Sequence, residues 1–191
     1  NNANSSLSTA TLLPLNEDPP GSGYLVGHGS GSLDPAGDSD YWKFDAQAGD
    51  RISISLDMPN GGMNPAMELY NPGGTYLIGD DNGGPDLQSF FSRYTISAAG
   101  TYFVRVFAHS GVADYQLRVD LARTVQLEAD TEYANDSVAS ANPLTLTTAG
   151  NQRSGIMAGT NMSGQSGNVD EDYFNLGTVP AGETILLSIR L

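Results

Sequence analysis

Cysteine is absent from this 191-residue chain, which removes disulfide frameworks, thiolate metal sites and cysteine nucleophiles together. Positive charge is scarce: 8 basic residues stand against 22 acidic ones, and the formal net charge is −14. Lys43 is the sole lysine. Nucleic acids and anionic membrane surfaces would repel such a chain. No apolar run approaches the roughly 20 residues that a membrane-spanning helix needs, and no charged-then-apolar signal segment opens the sequence. An exported protein is expected, its signal removed or lying outside this sequence. Histidine is limited to His28 and His109, and neither a Gly-x-Ser-x-Gly elbow, nor His-Glu-x-x-His, nor Gly-x-Gly-x-x-Gly occurs. His28 reads as part of a flexible glycine-rich loop, and both histidines are expected to face solvent. Asp38 and Asp40, two apart on one strand, share a face too closely for the carboxylate pair of glycoside hydrolysis. The chain reads as non-enzymatic.

What is present is a repeat. Asp38-Ser-Asp40-Tyr41-Trp42-Lys43-Phe44 followed by Ala48-Gly49-Asp50-Arg51-Ile52 recurs as Asp170-Glu-Asp172-Tyr173-Phe174-Asn-Leu176 followed by Ala181-Gly182-Glu183-Thr-Ile185. Upstream, Ser22-Gly23 through Gly27 matches Ser154-Gly155 through Gly159, and Ala3-Asn4 matches Ala134-Asn135. Four separated landmarks in one order divide the chain into a complete module, 1–123, and the first half of another of the same type, 124–191. Half a module would leave an uncovered apolar face, so its completion is expected from the first module, from residues beyond Leu191 or from another chain.

The local pattern is β throughout. Ile52, Ile54 and Leu56 alternate with Ser53, Ser55 and Asp57, and Tyr102, Val104 and Val106 alternate with Phe103, Arg105 and Phe107, a period of two. Further strands are expected at 24–28, 40–46, 66–71, 75–79, 90–97 and 114–121. The segments between them, Asn60-Gly61-Gly62, Asn71-Pro72-Gly73-Gly74, Asn82-Gly83-Gly84-Pro85 and Ala98-Ala99-Gly100, carry turn chemistry. This density of short strands predicts an all-β fold, an antiparallel β-sandwich. Residues 5–13, with helical spacing of Leu7, Ala10 and Thr11, are the one candidate departure.

These motifs, with Glu68-Leu69-Tyr70-Asn71-Pro72-Gly73-Gly74, Gly100-Thr101-Tyr102-Phe103-Val104-Arg105-Val106 and Asp114-Tyr115-Gln-Leu117, resemble the bacterial pre-peptidase C-terminal domain family and the related collagen-binding domains of bacterial collagenases. The resemblance implies a jelly-roll-like sandwich serving as a non-catalytic accessory module of an exported protease or surface protein. It also implies that some members bind calcium, and that members bind collagen, other proteins or polysaccharides.

Most acids here are short aspartates in Gly/Asn-rich loops, which suit hard cations. Calcium takes six to eight oxygen ligands, so several loops must converge. The resemblance maps Glu132, Asn135, Asp136, Asp170 and Asp172 as Ca2+ ligands, with Glu128 and Asp130 ranked behind them. The first copy keeps only Asn4, Asp38 and Asp40 of this set. The loop Asp80-Asp81-Asn82-Gly83-Gly84-Pro85-Asp86 offers further ligands in Asp80, Asp81 and Asp86, although the same residues suit an ordinary solvated turn.

For binding, strand alternation turns Phe103, Arg105 and Phe107 outward, and the same alternation turns Phe91 and Arg93 outward on the preceding strand. If the two strands pair across Ala98-Ala99-Gly100, all five share one face, rich in the aromatics and arginines of interface hot spots, unless residues 124–191 cover it. Two functions follow. One is a calcium-binding adhesive or substrate-docking module at the bacterial cell surface or in a secreted protein, gripping protein, peptide or polysaccharide. The other is a structural spacer between neighbouring modules of the same polypeptide, stiffened by calcium.

Overall fold

A computed structural model describes residues 3–59, 61, 63–162 and 169–189. Asn60 and Gly62 of the turn expected at Asn60-Gly61-Gly62, and the end of the last expected strand, at 190–191, lie outside them.

Ten strands build the first module: β1 (Thr11–Leu12), β2 (Asn16–Glu17), β3 (Tyr24–Leu33), β4 (Ser39–Ala46), β5 (Arg51–Asp57), β6 (Met63–Tyr70), β7 (Tyr76–Asp80), β8 (Ser89–Thr95), β9 (Gly100–Gly111) and β10 (Ala113–Ala122). They form two five-stranded sheets, ordered β1-β4-β9-β6-β7 and β2-β3-β10-β5-β8. Pairing is antiparallel except for the short parallel bridge of β1 on β4. Apart from the neighbouring pairs β2-β3 and β6-β7, successive strands cross between the sheets, as in a jelly roll, and the expected antiparallel sandwich is the fold. The stretch 5–13 holds a single 3-10 turn, Leu7–Thr9, before β1.

Alternation explains the core. Phe44, Ile52, Ile54, Leu56, Leu69, Val104, Val106, Val119 and Leu121 are fully buried between the sheets, with Tyr102 and Tyr115 at 1% exposure. Burial of this kind stabilises by about 25 cal/mol per Å2 of apolar surface. The segment containing His28 is not a loop: it lies in β3, paired along its length with β10. Its glycines serve packing. A methyl group at Gly29 would sit 2.9 Å from the Trp42 ring, and one at Gly31 would sit 2.5 Å from the Tyr115 hydroxyl, so large rings from β4 and β10 fill the space that side chains on β3 would take.

Two expectations fail at β8. It does not pair with β9: β8 pairs with β5 in the second sheet, whereas β9 lies between β4 and β6 in the first. Ala98-Ala99-Gly100 is therefore a crossing between sheets and not a hairpin turn. Alternation also slips within β8. Ile54 faces Phe91 and Ile52 faces Tyr94, with a bulge between them, where Arg93 adopts φ 60° and its N–H donates to Ser53 Oγ at 3.1 Å. The extra residue resets the pleat. Phe91 thus enters the core, at 3% exposure, and Arg93 sits in the second sheet; neither shares a face with Phe103, Arg105 and Phe107.

Beyond Ala122, the segment 126–131 lies against the outer face of the second sheet. Strands β11 (Gln126–Leu127), β12 (Asn142–Pro143), β13 (Thr147–Ala149), β14 (Gln152–Ser154), β15 (Met157–Ala158) and β16 (Phe174–Asn175) are short. The beginning of the first module is nevertheless reproduced bond for bond. Tyr41 N–H donates to Asn4 O at 2.8 Å and Tyr173 N–H to Asn135 O at 3.1 Å; Leu13 N–H donates to Lys43 O at 2.8 Å and Leu144 N–H to Asn175 O at 2.9 Å. The parallel β1·β4 bridge recurs as β12·β16. The strand expected from Ile185 onward is not formed among the described residues: 183–189 join no ladder, and Leu186 and Ile189 are 92% and 91% exposed. In the first module the matching β5 lies between β10 and β8, and no described residue supplies those neighbours to the second copy.

Candidate metal centre

Backbone geometry brings five carboxylates from three segments together. Residues 126–128 run beside β15: Gln126 pairs with Met157, and Glu128 N–H donates to Ala158 O at 3.0 Å. Glu128 and Asp130 are thereby turned inward, at 2% and 0% exposure. Tyr173 N–H bonding to Asn135 O fixes Asp170 and Asp172 opposite Asn135 and Asp136. Ligand atoms of Glu128, Asp130 and Asp172 lie within 4.8 Å of one another, as do those of Asp130, Asp136 and Asp170. Asp130 belongs to both groups.

Protein groups satisfy this cluster only in part. Asn135 Nδ2 donates to Asp172 Oδ1 at 3.0 Å, and Glu171 N–H donates to Asp136 Oδ1 at 3.1 Å. Thr160 N–H donates to Glu128 and Met162 N–H to Asp170. Both oxygens of Asp130, Glu128 Oε2, Asp170 Oδ1 and Asn135 Oδ1 are buried without a partner. Gly159 makes room for the arrangement, because a methyl group there would lie 2.2 Å from the Glu128 carboxylate. Burial pushes the Glu128 carboxyl up to about 8, against the Thr160 N–H and with the charges of Asp172 and Asp130 adding to the rise. Burial, then Asp170 and Asp172, pushes Asp130 up to about 8. Asp170 is raised as well, chiefly by burial.

Packed carboxylates with orphaned oxygens require protons or a cation. The donor set is all oxygen, with neither imidazole nor thiolate, and so suits a hard divalent ion. The proton alternative has a definite pH signature. An unfolded carboxyl titrates near 4, whereas Glu128 and Asp130 in the metal-free fold hold their protons up to about 8. The stability that these protons supply is complete below about pH 4 and is lost as pH rises to about 8. The melting temperature of EDTA-treated protein should therefore fall between pH 5 and pH 8 by more than that of protein in calcium. Parallel pH profiles with and without calcium would contradict the geometry.

The structure reorders the ligands mapped from sequence. Of the residues mapped there, Asp136, Asp170 and Asp172 stand in the two groups, and Asn135 is bonded to Asp172. Glu128 and Asp130, ranked behind, form the buried centre, while Glu132 is exposed and stands in neither group. The cause is local: Glu132 and Tyr133 take φ of 59° and 58°, which breaks the alternation that would place Glu128, Asp130 and Glu132 on one side. In the first copy Asp40 accepts the Tyr115 hydroxyl at 2.7 Å, and Asp38 is buried with Oδ2 unpartnered. The Asp80 loop gathers no third carboxylate. Asp80 Oδ2 instead accepts the N–H groups of Asn82 at 3.1 Å, Gly83 at 2.8 Å and Phe90 at 2.9 Å, and Asp81 lies 3.6 Å from His109. Asp86 is exposed.

On the outer face of the first sheet, Phe103, Arg105 and Phe107 are half-buried as alternation requires. Arg105 stacks on Phe107 at 4.3 Å, donates to Glu68 at 3.1 Å and to Ser39 Oγ at 3.1 Å. Tyr41, Tyr70 and Tyr76 extend the surface, with centroids 6.5 Å apart for the first pair and 6.1 Å for the second. These tyrosines were not selected from sequence, although alternation on β4 and β6 places Tyr41 and Tyr70 opposite Arg105 and Phe103.

Two stacked sheets of crossing antiparallel strands, with an acidic segment laid against one of them, define a β-sandwich domain. The family model for the bacterial pre-peptidase C-terminal domain matches residues 38–108, within the first sandwich; domains of that family are non-catalytic and occur in secreted bacterial proteins. Among solved structures, the pre-peptidase C-terminal domain of a collagenase from Bacillus anthracis is 19% identical, over 58% of this chain and 93% of that one, with a TM-score of 0.45. Aeromonas hydrophila PliG, a periplasmic inhibitor of g-type lysozyme, is 18% identical, over 59% of this chain and 96% of that one, with a TM-score of 0.40. No curated protein sequence matches the chain. No described helix is long and apolar enough to cross a membrane.

Proposed function

We propose that this chain is a calcium-binding, non-catalytic docking module of an exported protein. The observation that carries the reading is Asp130: fully buried, both carboxylate oxygens without partners, and shared between two carboxylate groups. Five carboxylates around one point exceed the charge of a single divalent ion, so the cluster has the charge for two, bridged by Asp130. Glu128, Asp130, Asp136, Asp170 and Asp172 would hold the ions, with the Asn135 carbonyl oxygen beside them. Calorimetric titration of metal-free protein with CaCl2, with MgCl2 as comparison, tests this. Calcium should bind more tightly, because magnesium dehydrates reluctantly and demands a stricter octahedron; absence of heat in both titrations would refute the assignment.

Docking would use the aromatic face of the first sheet, centred on Arg105 and bordered by Phe103, Phe107 and the three tyrosines, to hold a protein, peptide or glycan of the cell surroundings. Removing Arg105 breaks an ion pair whose side chains are 30% and 24% exposed, expected to cost about 1 kcal/mol of stability. At a binding hot spot the same truncation costs about 2 kcal/mol or more, roughly thirtyfold in affinity. Arg105→Ala and Phe103→Ala should therefore retain the melting temperature while losing capture on glycan arrays, peptide arrays or immobilised gelatin. The spacer reading is favoured by a separate observation, that the acidic cluster lies where the second copy joins the first. On that reading the wild type captures nothing on any array.

A further inference from the structure

The acidic cluster is built from residues beyond Ala122, yet the segment carrying Asp130 is held by the first module at two points. One is the bulge of β8. Ser92 Oγ accepts the N–H of Asp130 at 2.8 Å and that of Thr131 at 3.2 Å, and it lies 3.1 Å from Thr131 Oγ1. Ser92 N–H donates in return to Thr131 Oγ1 at 2.9 Å. A regular β8 would spend this N–H on its sheet or on solvent; the bulge at Ser92-Arg93 frees it. The other point is the acidic loop. Asp80 gathers the loop's amides, and Gly83 O accepts the Glu132 N–H at 2.9 Å. Gly83 is so enclosed that a methyl group would lie 2.3 Å from Phe90 O, 2.9 Å from Asp80 Oδ1 and 3.0 Å from the Thr131 methyl.

Asp130 therefore sits between two anchors, Ser92 on its own N–H and Gly83 two residues on, and neither anchor ligates anything. We propose that Ser92 and Gly83 are positioning residues of the first module that hold Asp130 in its cation-binding pose, so that the first sandwich sets the affinity of a site it does not ligate. This rests on the calcium reading of the cluster. It also gives the Asp80–Asp86 loop a role other than binding an ion: its carboxylate shapes a receptor for the metal-bearing segment. The physical basis is that groups bonded to a ligand fix its orientation before the ion arrives, and loss of such outer partners typically weakens metal binding roughly 10- to 100-fold.

The test uses the full chain, metal-free, titrated calorimetrically with CaCl2, with thermal melting in EDTA read alongside. Ser92→Ala should weaken calcium binding at least about tenfold, and Ser92→Thr, which keeps the hydroxyl, should restore most of the affinity. A purely structural role would lower the EDTA melting temperature of Ser92→Ala without changing the affinity of its folded fraction. Gly83→Ala supplies an independent arm: the added methyl must displace the loop, moving the Gly83 carbonyl from Glu132, and affinity should fall in the same direction. Wild-type affinity in both Ser92→Ala and Gly83→Ala overturns the proposal while leaving the calcium site intact. Absence of calcium binding in the wild type overturns the calcium reading and this proposal with it.

Discussion

Asp130→Asn should raise the melting temperature of the metal-free chain and abolish its response to calcium. Asp130 is at 0% exposure with two orphaned oxygens and close neighbours of the same charge. Without an ion its charge is repelled and desolvated, and its proton is retained only by the rise to about 8. Asparagine has nearly the same shape and no charge, so the repulsion disappears. Its amide still lacks partners, but an unsatisfied neutral group is less costly than a buried charge. In calcium the order reverses. At a hundredfold excess over Kd an ion that binds only the folded state stabilises it by about 2.7 kcal/mol, roughly 5 to 10 °C for a chain of this size, and Asp130→Asn forfeits this because it removes the shared ligand. Glu132→Gln is the control. Glu132 is exposed and in neither carboxylate group, so its calcium shift should equal that of the wild type. Scanning fluorimetry of the three proteins in EDTA and in CaCl2 decides the matter. A shift lost in Glu132→Gln and kept in Asp130→Asn would mean that the ion sits elsewhere.

That reversal between Glu132 and Asp130 marks the limit of what sequence pattern conveys. Period-two alternation located the long strands of the sandwich because each has one face on the core and one on solvent, so burial is written directly into residue order. Alternation says nothing about which strands neighbour each other. Phe91 and Arg93 were assigned to the face of β9 because adjacency in sequence suggested a hairpin, whereas the chain crosses between sheets at Ala98-Ala99-Gly100. A bulge is equally silent: nothing in Ser92-Arg93-Tyr94 announces the left-handed φ at Arg93. The same holds for the glycines of β3, which read as a loop until the rings of Trp42 and Tyr115 are placed over them. Acid content pointed to clustered carboxylates, because loops rich in aspartate are legible as composition, and the fold does bring five of them together. Their ranking depended on two consecutive left-handed residues, Glu132 and Tyr133, for which neither residue type is diagnostic.

The repeat itself supplies the second large effect, since equal positions in the two copies have unequal surroundings. Trp42 and Phe174 occupy corresponding places in the two Asp-x-Asp-Tyr segments, and each lies on a strand that takes the same parallel bridge. Trp42 is 9% exposed, packs over Gly29 and donates its indole N–H to the Tyr115 hydroxyl at 2.8 Å, which in turn donates to Asp40 at 2.7 Å. Phe174 is 40% exposed. Trp42→Ala should cost about 3 to 5 kcal/mol, the range for emptying a large aromatic site, and lower the melting temperature on the order of 10 °C. Trp42→Phe fills most of the volume and loses mainly the donor to Tyr115, whose hydroxyl keeps Asp40 as acceptor, so about 1 kcal/mol is expected. Phe174→Ala, by contrast, should cost clearly less than Trp42→Ala, because 40% of its surface stays in water and no enclosed cavity is left behind. Denaturant melts of the three variants, read by tyrosine fluorescence, give the ordering. Equal losses for Trp42→Ala and Phe174→Ala would mean that the second copy buries its aromatic as deeply as the first, and that residues 124–189 form a sandwich core of their own.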